Sequence, residues 1–216
     1  ALAGIAAVFR RYLGQYLAGI WRIWLPIELL WHTLGTSSRV KPPCAPSWSW
    51  ASVDGEIRYQ HHGFTEGEVT LLASVVDVAM ADVDKHETNQ IPSGQLQIMG
   101  KLASVGSFRK RHQESRVGLL MDFYDSTEGS AHILNLENAQ VYVDDDEEWD
   151  WEDLSAGIWC LPIKQTVSEF SELWIYGLLL RRVEGLAFRR TATVSFKPIF
   201  DEHIFDKIGV TTITIE

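Results

Sequence analysis

Eight carboxylates fall within the ten residues from Asp144 to Asp153, interrupted only by Trp149 and Trp151. A calcium loop needs ligands at set intervals around a glycine turn, and this run has neither. Mutual repulsion predicts instead a solvated acidic loop, tethered to the surface by its two tryptophans. His61-His62, followed by Glu66 and Glu68, lacks the His-Glu-x-x-His spacing of a helical zinc site and reads as an exposed pair at a hairpin end. Paired carboxylates also serve glycosidases, but no pair among so many acids is singled out by its spacing. Cys160 lies in an apolar stretch, which predicts a packing residue and not an activated thiolate. The nucleophile elbow, the phosphate-cradling loop and the dinucleotide fingerprint are all missing from the sequence. These residues assign no catalytic, cofactor-binding or metal-ligating role.

The stretch Ala45 to Gly55 carries Trp48 and Trp50 two residues apart, alternating with Ser47 and Ser49. In extended backbone that alternation places both indoles on one face. Pro46 suits a strand entrance and Asp54-Gly55 a turn, so a short strand is expected here. Two indoles on one face can stack sugars or bases. Their Pro-rich flank favours the other reading, a core anchor.

Spacings of three and four (Leu2, Ile5, Phe9, Tyr12, Leu13) predict a helix over residues 1–13, stopped at Gly14. Ile20, Trp24, Ile27, Leu30, Trp31 and Leu34 continue the spacing, and Pro26 divides it into two further short helices. A Pro-rich connector over 35–46 follows. Beyond it, strands are expected near 57–60, 69–81, 96–102, 117–124, 139–143, 157–163, 173–183, 187–196 and 210–215, with a short helix or turn near 201–207. Helices first and strands afterwards argue against a parallel sheet. The expected fold is α+β and mainly β, with a helical cap over residues 1–35 packed on an antiparallel barrel or sandwich over 36–216.

Several short blocks, in order along nearly the whole chain, resemble the region that follows the HET domain in fungal heterokaryon-incompatibility proteins. They are Tyr16-Leu17-Ala18-Gly19-Ile20-Trp21, Leu25-Pro26 with Leu29-Leu30-Trp31, Ala45-Pro46-Ser47-Trp48-Ser49-Trp50, Trp159-Cys160-Leu161-Pro162-Ile163, Gly177-Leu178-Leu179-Leu180 and Phe188-Arg189-Arg190. Cys44 stands where that family often has Arg, and Thr191-Ala192 where it often has Ile-Gly. The resemblance implies structural roles for Tyr16, Trp21, Trp31, Pro46, Trp48, Trp50, Gly55, Cys160, Pro162, Gly177 and Arg189. It also implies a non-catalytic regulatory or interaction module in self/non-self recognition and programmed cell death, with the HET domain lying before residue 1. A carbohydrate-binding barrel using Trp48, Trp50, Trp149 or Trp151 is the alternative.

The formal net charge is -10, yet outside the acidic run 21 acids face 19 bases. That near-neutral balance offers no basic face for nucleic acid. Arg10, Arg11 and Arg22 interrupt the apolar start, so no membrane span is expected. Two cysteines without Cys-x-x-Cys spacing, and no Asn-x-Ser/Thr site, point to a cytoplasmic address. The expected partner is a protein: a HET domain in the same or another chain, or a second copy.

Overall fold

The computed structural model describes residues 2–59, 69–80, 94–105, 121–124, 131–134, 139–147, 149, 157–168, 171–198, 205 and 208–216. Its one α-helix among these residues, α1 (Leu2–Leu13), ends where Gly14 takes a φ of 77° and donates its N–H to Arg10 O at 3.0 Å. Glycine reaches that left-handed backbone without steric cost, which is why the helix stops there. Ala7 to Tyr12 are all exposed, so Phe9 and Tyr12 of the predicted apolar face are not covered by the sheet.

Residues 16–34 form no α-helix. Strands β1 (Tyr16–Leu17) and β2 (Ile20–Trp21) make a hairpin whose two central residues, Ala18 and Gly19, have φ of 45° and 97°. Positive φ at both positions matches the twist of a two-residue hairpin and is incompatible with a right-handed helix. Two 3-10 turns follow, over 22–24 and 27–30, and then β3 (Trp31–Arg39). The apolar spacing is still used: Ile20, Leu29, Leu30 and Trp31 are buried in one core with residues of the main sheet. The expected domain boundary at residue 35 therefore falls inside β3.

The tryptophan stretch departs from the expected strand as well. Ser49 N–H closes a turn on Pro46 O at 3.0 Å, and Ser49 Oγ then caps the 3-10 turn Trp50–Ser52 by accepting from Ala51 N at 3.0 Å. Serine hydroxyls compete with sheet pairing for backbone partners, and here they win. Strand β4 (Val53–Tyr59) begins only afterwards, runs through Asp54-Gly55 without turning, and pairs antiparallel with β3.

The remaining strands are β5 (Val69–Leu71), β6 (Ala73–Met80), β7 (Gly94–Lys101), β8 (Ala103–Val105), β9 (Met121–Tyr124), β10 (Ala131–Leu134), β11 (Gln140–Val143), β12 (Ile158–Val167), β13 (Leu173–Glu184), β14 (Ala187–Phe196) and β15 (Val210–Ile215). They form one sheet in the order β10-β9-β8-β12-β13-β14-β15-β7-β6, with β11 added to β14 and β5 to β12. All pairs are antiparallel except β14 with β15. Between β5 and β6, Leu72 N–H bonds Ile163 O at 2.8 Å, so one continuous segment leaves β12 and joins β7. The sheet is not a closed barrel, one of the two arrangements expected for it. Its β14–β15 seam is two residue pairs long and β5 meets β12 over three, too little pairing for a continuous ring.

Strands β12, β13 and β14 are covered on both faces. Ile175 and Leu179 enter one core with Cys160, Val194, Phe196 and Phe205, while Tyr176, Leu178 and Leu180 enter another with Trp31, Trp48, Leu96 and Ile213. That explains why β13 reads as an unbroken apolar run and β7 as clean alternation, buried at Gly94, Leu96, Ile98 and Gly100 and exposed between. The segments expected at 61–68 and 201–204, and residues 117–120 of the strand expected at 117–124, lie outside the described residues.

Candidate functional site

Two arginines and one aspartate meet between the β3–β4 sheet and the main sheet. Asp144, fully buried, accepts from Arg39 through Oδ2 and from Arg190 through Oδ1, each at 3.0 Å. The Arg190 guanidinium stacks on Trp31, its central carbon 3.2 Å from the ring centroid, and donates to the carbonyls of Leu29, at 3.0 Å, and Trp31. Arg39 donates to the carbonyls of Ser47 and Arg190 and to Ser52 Oγ. Burial pulls the Arg190 guanidinium down to about 10, with Asp144 opposing the shift and Arg39 adding to it, so it stays protonated at neutral pH. Two buried cations sharing one carboxylate are tolerable only because nearly every guanidinium N–H finds a carbonyl, carboxylate or hydroxyl.

The acidic run supplies this anion, which corrects its reading as a wholly solvated loop. Asp145, also buried, accepts from Arg39 N at 2.8 Å and from Glu147 N at 2.9 Å, and Asp146 accepts from Ser37 N at 2.8 Å. Asp144 N–H in turn bonds Thr191 O at 2.8 Å. Three successive aspartates thus sew β3 to β14, and Trp149 is buried in the core beyond. Among the described residues of the run, Asp146 and Glu147 are exposed as that reading expected.

The tryptophan stretch is the third wall. Trp48 is fully buried, with its indole N–H on Gly94 O at 3.0 Å, and its own carbonyl accepts the Trp31 indole N–H at 3.0 Å. Trp50 is half-buried, on Gly19 O at 2.9 Å. A Cβ at Gly19 would lie 2.7 Å from Trp50 Nε1, which accounts for glycine there beyond its φ. Ser47 Oγ accepts from Arg190 N at 3.1 Å and donates to the Glu216 carbonyl. Residues from four distant parts of the chain are fastened at this point.

The residues singled out by the family blocks divide between this hub and the sheet. Trp31, Pro46, Trp48 and Trp50 belong to the hub, while Tyr16 and Trp21 pack against each other across the β1–β2 hairpin, centroids 4.8 Å apart and planes tilted by 53°. Cys160 is fully buried, and its thiol is pushed up to about 12 by desolvation. Pro162 marks a register shift in β12 opposite Gly177, whose missing side chain leaves room for Leu161 O. The strand is not an edge, since β13 and β8 or β5 flank it. Gly55 is exposed on β4. Arg189 is half-buried on the far side of β14 from Arg190.

The hub residues missed by sequence are Arg39, Arg190 and Asp144. Alternation offered a clue to Arg190, because the second arginine of a strand pair must face away from the first. Nothing local marked Arg39 or Asp144. Next to the hub, Arg39, Asp144, Asp145, Trp149, Arg181, Arg189, Arg190 and Thr191 line a cleft of about 60 Å³. Among the described residues no group of three or more His, Cys, Asp or Glu is placed to hold a metal ion. No helix among them is long and apolar enough to cross a membrane.

Together these features define a mainly β, α+β protein in which a buried arginine–aspartate hub ties the β3–β4 sheet to the main sheet. Comparison with protein-family models, curated proteins and solved structures gave no match.

Proposed function

We propose that this chain is a non-catalytic interaction module of a fungal heterokaryon-incompatibility protein, acting in the cytoplasm in self/non-self recognition and programmed cell death. The family blocks named above support this reading, together with one observation on the surface. After the fold has used Ile20, Leu29, Leu30 and Trp31 for its own core, an apolar set remains exposed on the N-terminal segment: Val8, Phe9 and Tyr12 of α1, and Ile23, Trp24 and Ile27 of the 3-10 turns. Exposed aromatic and aliphatic side chains of this kind, with Arg10, Arg11 and Arg22 among them, suit a protein–protein contact. The partner is a HET domain in the same or another chain. The alternative, a sugar-binding groove, needs two of its four indoles exposed together, and Trp48 and Trp149 are buried and Trp50 half-buried, while Trp151 lies outside the described residues.

The test is binding of the chain to a HET domain of the same protein family, read by co-elution on size exclusion, for wild type and for Phe9→Glu with Trp24→Asp. Co-elution lost in the double variant, with an unchanged melting temperature, supports the module. A wild-type chain that neither binds a HET domain nor self-associates defeats it.

A further inference from the structure

Lys164, on β12, is a buried cation to which the fold gives no anion. It is 7 % exposed, and among the described residues its ammonium meets neither a carboxylate nor a hydrogen-bond acceptor. What it meets is the face of Tyr176, 4.8 Å from the ring centroid. The Tyr176 hydroxyl is engaged by Thr166. Burial pulls the Lys164 amine below its ordinary value. A ring face returns less than an ammonium loses on leaving water, so the group favours an anion at its head.

Lys197 shows the same environment with the anion supplied. It lies one residue beyond β14, its ammonium 4.9 Å from the Trp174 ring, and it is paired with Glu172. Trp174 and Tyr176 are two apart on β13 and stacked, with centroids 6.5 Å apart. Two lysines thus sit on two neighbouring rings, and one of them has a carboxylate.

Strand register sets what lies beside the Lys164 ammonium. Lys164 pairs with Leu71 of β5 on one side and with Tyr176 on the other, and Thr166 pairs with Val69 and Trp174. Cross-strand partners share a face, so both rows project from the same side of the sheet. Leu71 and Val69 are exposed and Trp174 is half-buried. Within two rows the surface passes from an open aliphatic lip to a desolvated ammonium and then to an aromatic wall.

We propose that this site binds a monocarboxylate with an apolar body, its carboxylate on Lys164 and its hydrocarbon along Leu71 and Val69. One ammonium matches one negative charge, and uncovered aliphatic side chains beside it gain by covering hydrocarbon. The site lies on the main sheet and does not depend on the function proposed for the N-terminal face.

The experiment titrates sodium octanoate into the full chain by isothermal calorimetry, with 1-octanol and sodium acetate as ligands that lack the charge and the chain respectively. Octanoate is expected to bind at least about tenfold more tightly than either, since each control loses one of the two contacts. Lys164→Met keeps the buried stem and removes the charge. It should weaken octanoate binding by about tenfold or more and melt no lower than wild type. Leu71→Ser, at an exposed position, should weaken octanoate binding without lowering the melting temperature. Lys41→Met, at an exposed lysine paired with Glu147, should bind as wild type does. Absence of octanoate binding, equal binding of octanol, or unaltered binding in Lys164→Met overturns the proposal. A loss in Lys41→Met as large as that in Lys164→Met would show general charge attraction and overturn it too. Should Lys164→Met fail to fold, Leu71→Ser decides, and unchanged octanoate binding there overturns the proposal.

Discussion

Asp144 is one side chain on which two buried cations depend. Replacing it by alanine strands both Arg39 and Arg190 in the interior, a change that typically costs about 3–5 kcal/mol. Urea denaturation of Asp144→Ala should show a loss of that order, and a loss below about 1 kcal/mol would mean that the guanidinium groups rely on carbonyls alone. The two cysteines separate in the same way by environment. Cys44 is exposed while Cys160 is buried, its thiol held up to about 12. A thiol reagent should therefore titrate one group in the native protein and the second only after unfolding. Cys160 was legible in the sequence, because an apolar strand on both sides leaves a thiol no route to water. Asp144 was not, because a run of acids looks alike from end to end and only the position of two distant arginines distinguishes one member.

The hairpin Tyr16 to Trp21 is the element on which the N-terminal segment turns. Gly19 combines a φ of 97° with a neighbour, Trp50 Nε1, 2.7 Å from where a Cβ would sit. Gly35 has a φ of 79° with open space around it. Both Gly→Ala variants pay the backbone term, about 1–2 kcal/mol, and only Gly19→Ala also pays for displacing an indole. Thermal melts should rank Gly19→Ala clearly below Gly35→Ala, and equal melting would remove the packing argument. The 3-10 turn over 27–30 carries a pH dependence of its own. Partial burial raises the Glu28 carboxyl above its ordinary value, so the folded state holds that proton more tightly than the unfolded chain does. Stability contributed by the protonated form is complete below the ordinary pKa and is lost as pH rises through the raised one. Glu28→Gln should flatten the stability profile in that window and be the more stable protein at neutral pH.

At the scale of the molecule, the chain is fastened where its parts cross. Strands β12 to β14 carry apolar side chains on both faces, and the N-terminal segment from Ile20 to Trp31 is one of the layers covering them. Replacing Phe9 and Tyr12 by serine should change stability by no more than an ordinary surface substitution, about 0.5 kcal/mol, in thermal melts, because both are exposed. A deletion through Trp31 removes the stack beneath Arg190 and should abolish cooperative unfolding by circular dichroism. A cooperative melt in that deletion would show that the main sheet stands without its cover.

Local pattern by itself determined much of the sheet. The strands expected near 96–102, 173–183, 187–196 and 210–215 are β7, β13, β14 and β15, and Gly14 ends α1 as expected, since each depends on the pleat or on backbone sterics within a few residues. The near-neutral balance outside the acidic run was likewise open to inspection. Where apolar periodicity was the only guide, over residues 16–34, it predicted two short helices in place of a hairpin, 3-10 turns and a strand, because an interior that accepts Ile20, Leu29 and Trp31 is indifferent to the backbone that delivers them. The tertiary structure alone decided that three serines would turn the tryptophan stretch aside from extended pairing. It also decided that one aspartate of the acidic run would be buried between Arg39 and Arg190. The reason is physical: a charge is worth burying only opposite its partner, and these partners lie 105 and 46 residues from Asp144 along the chain.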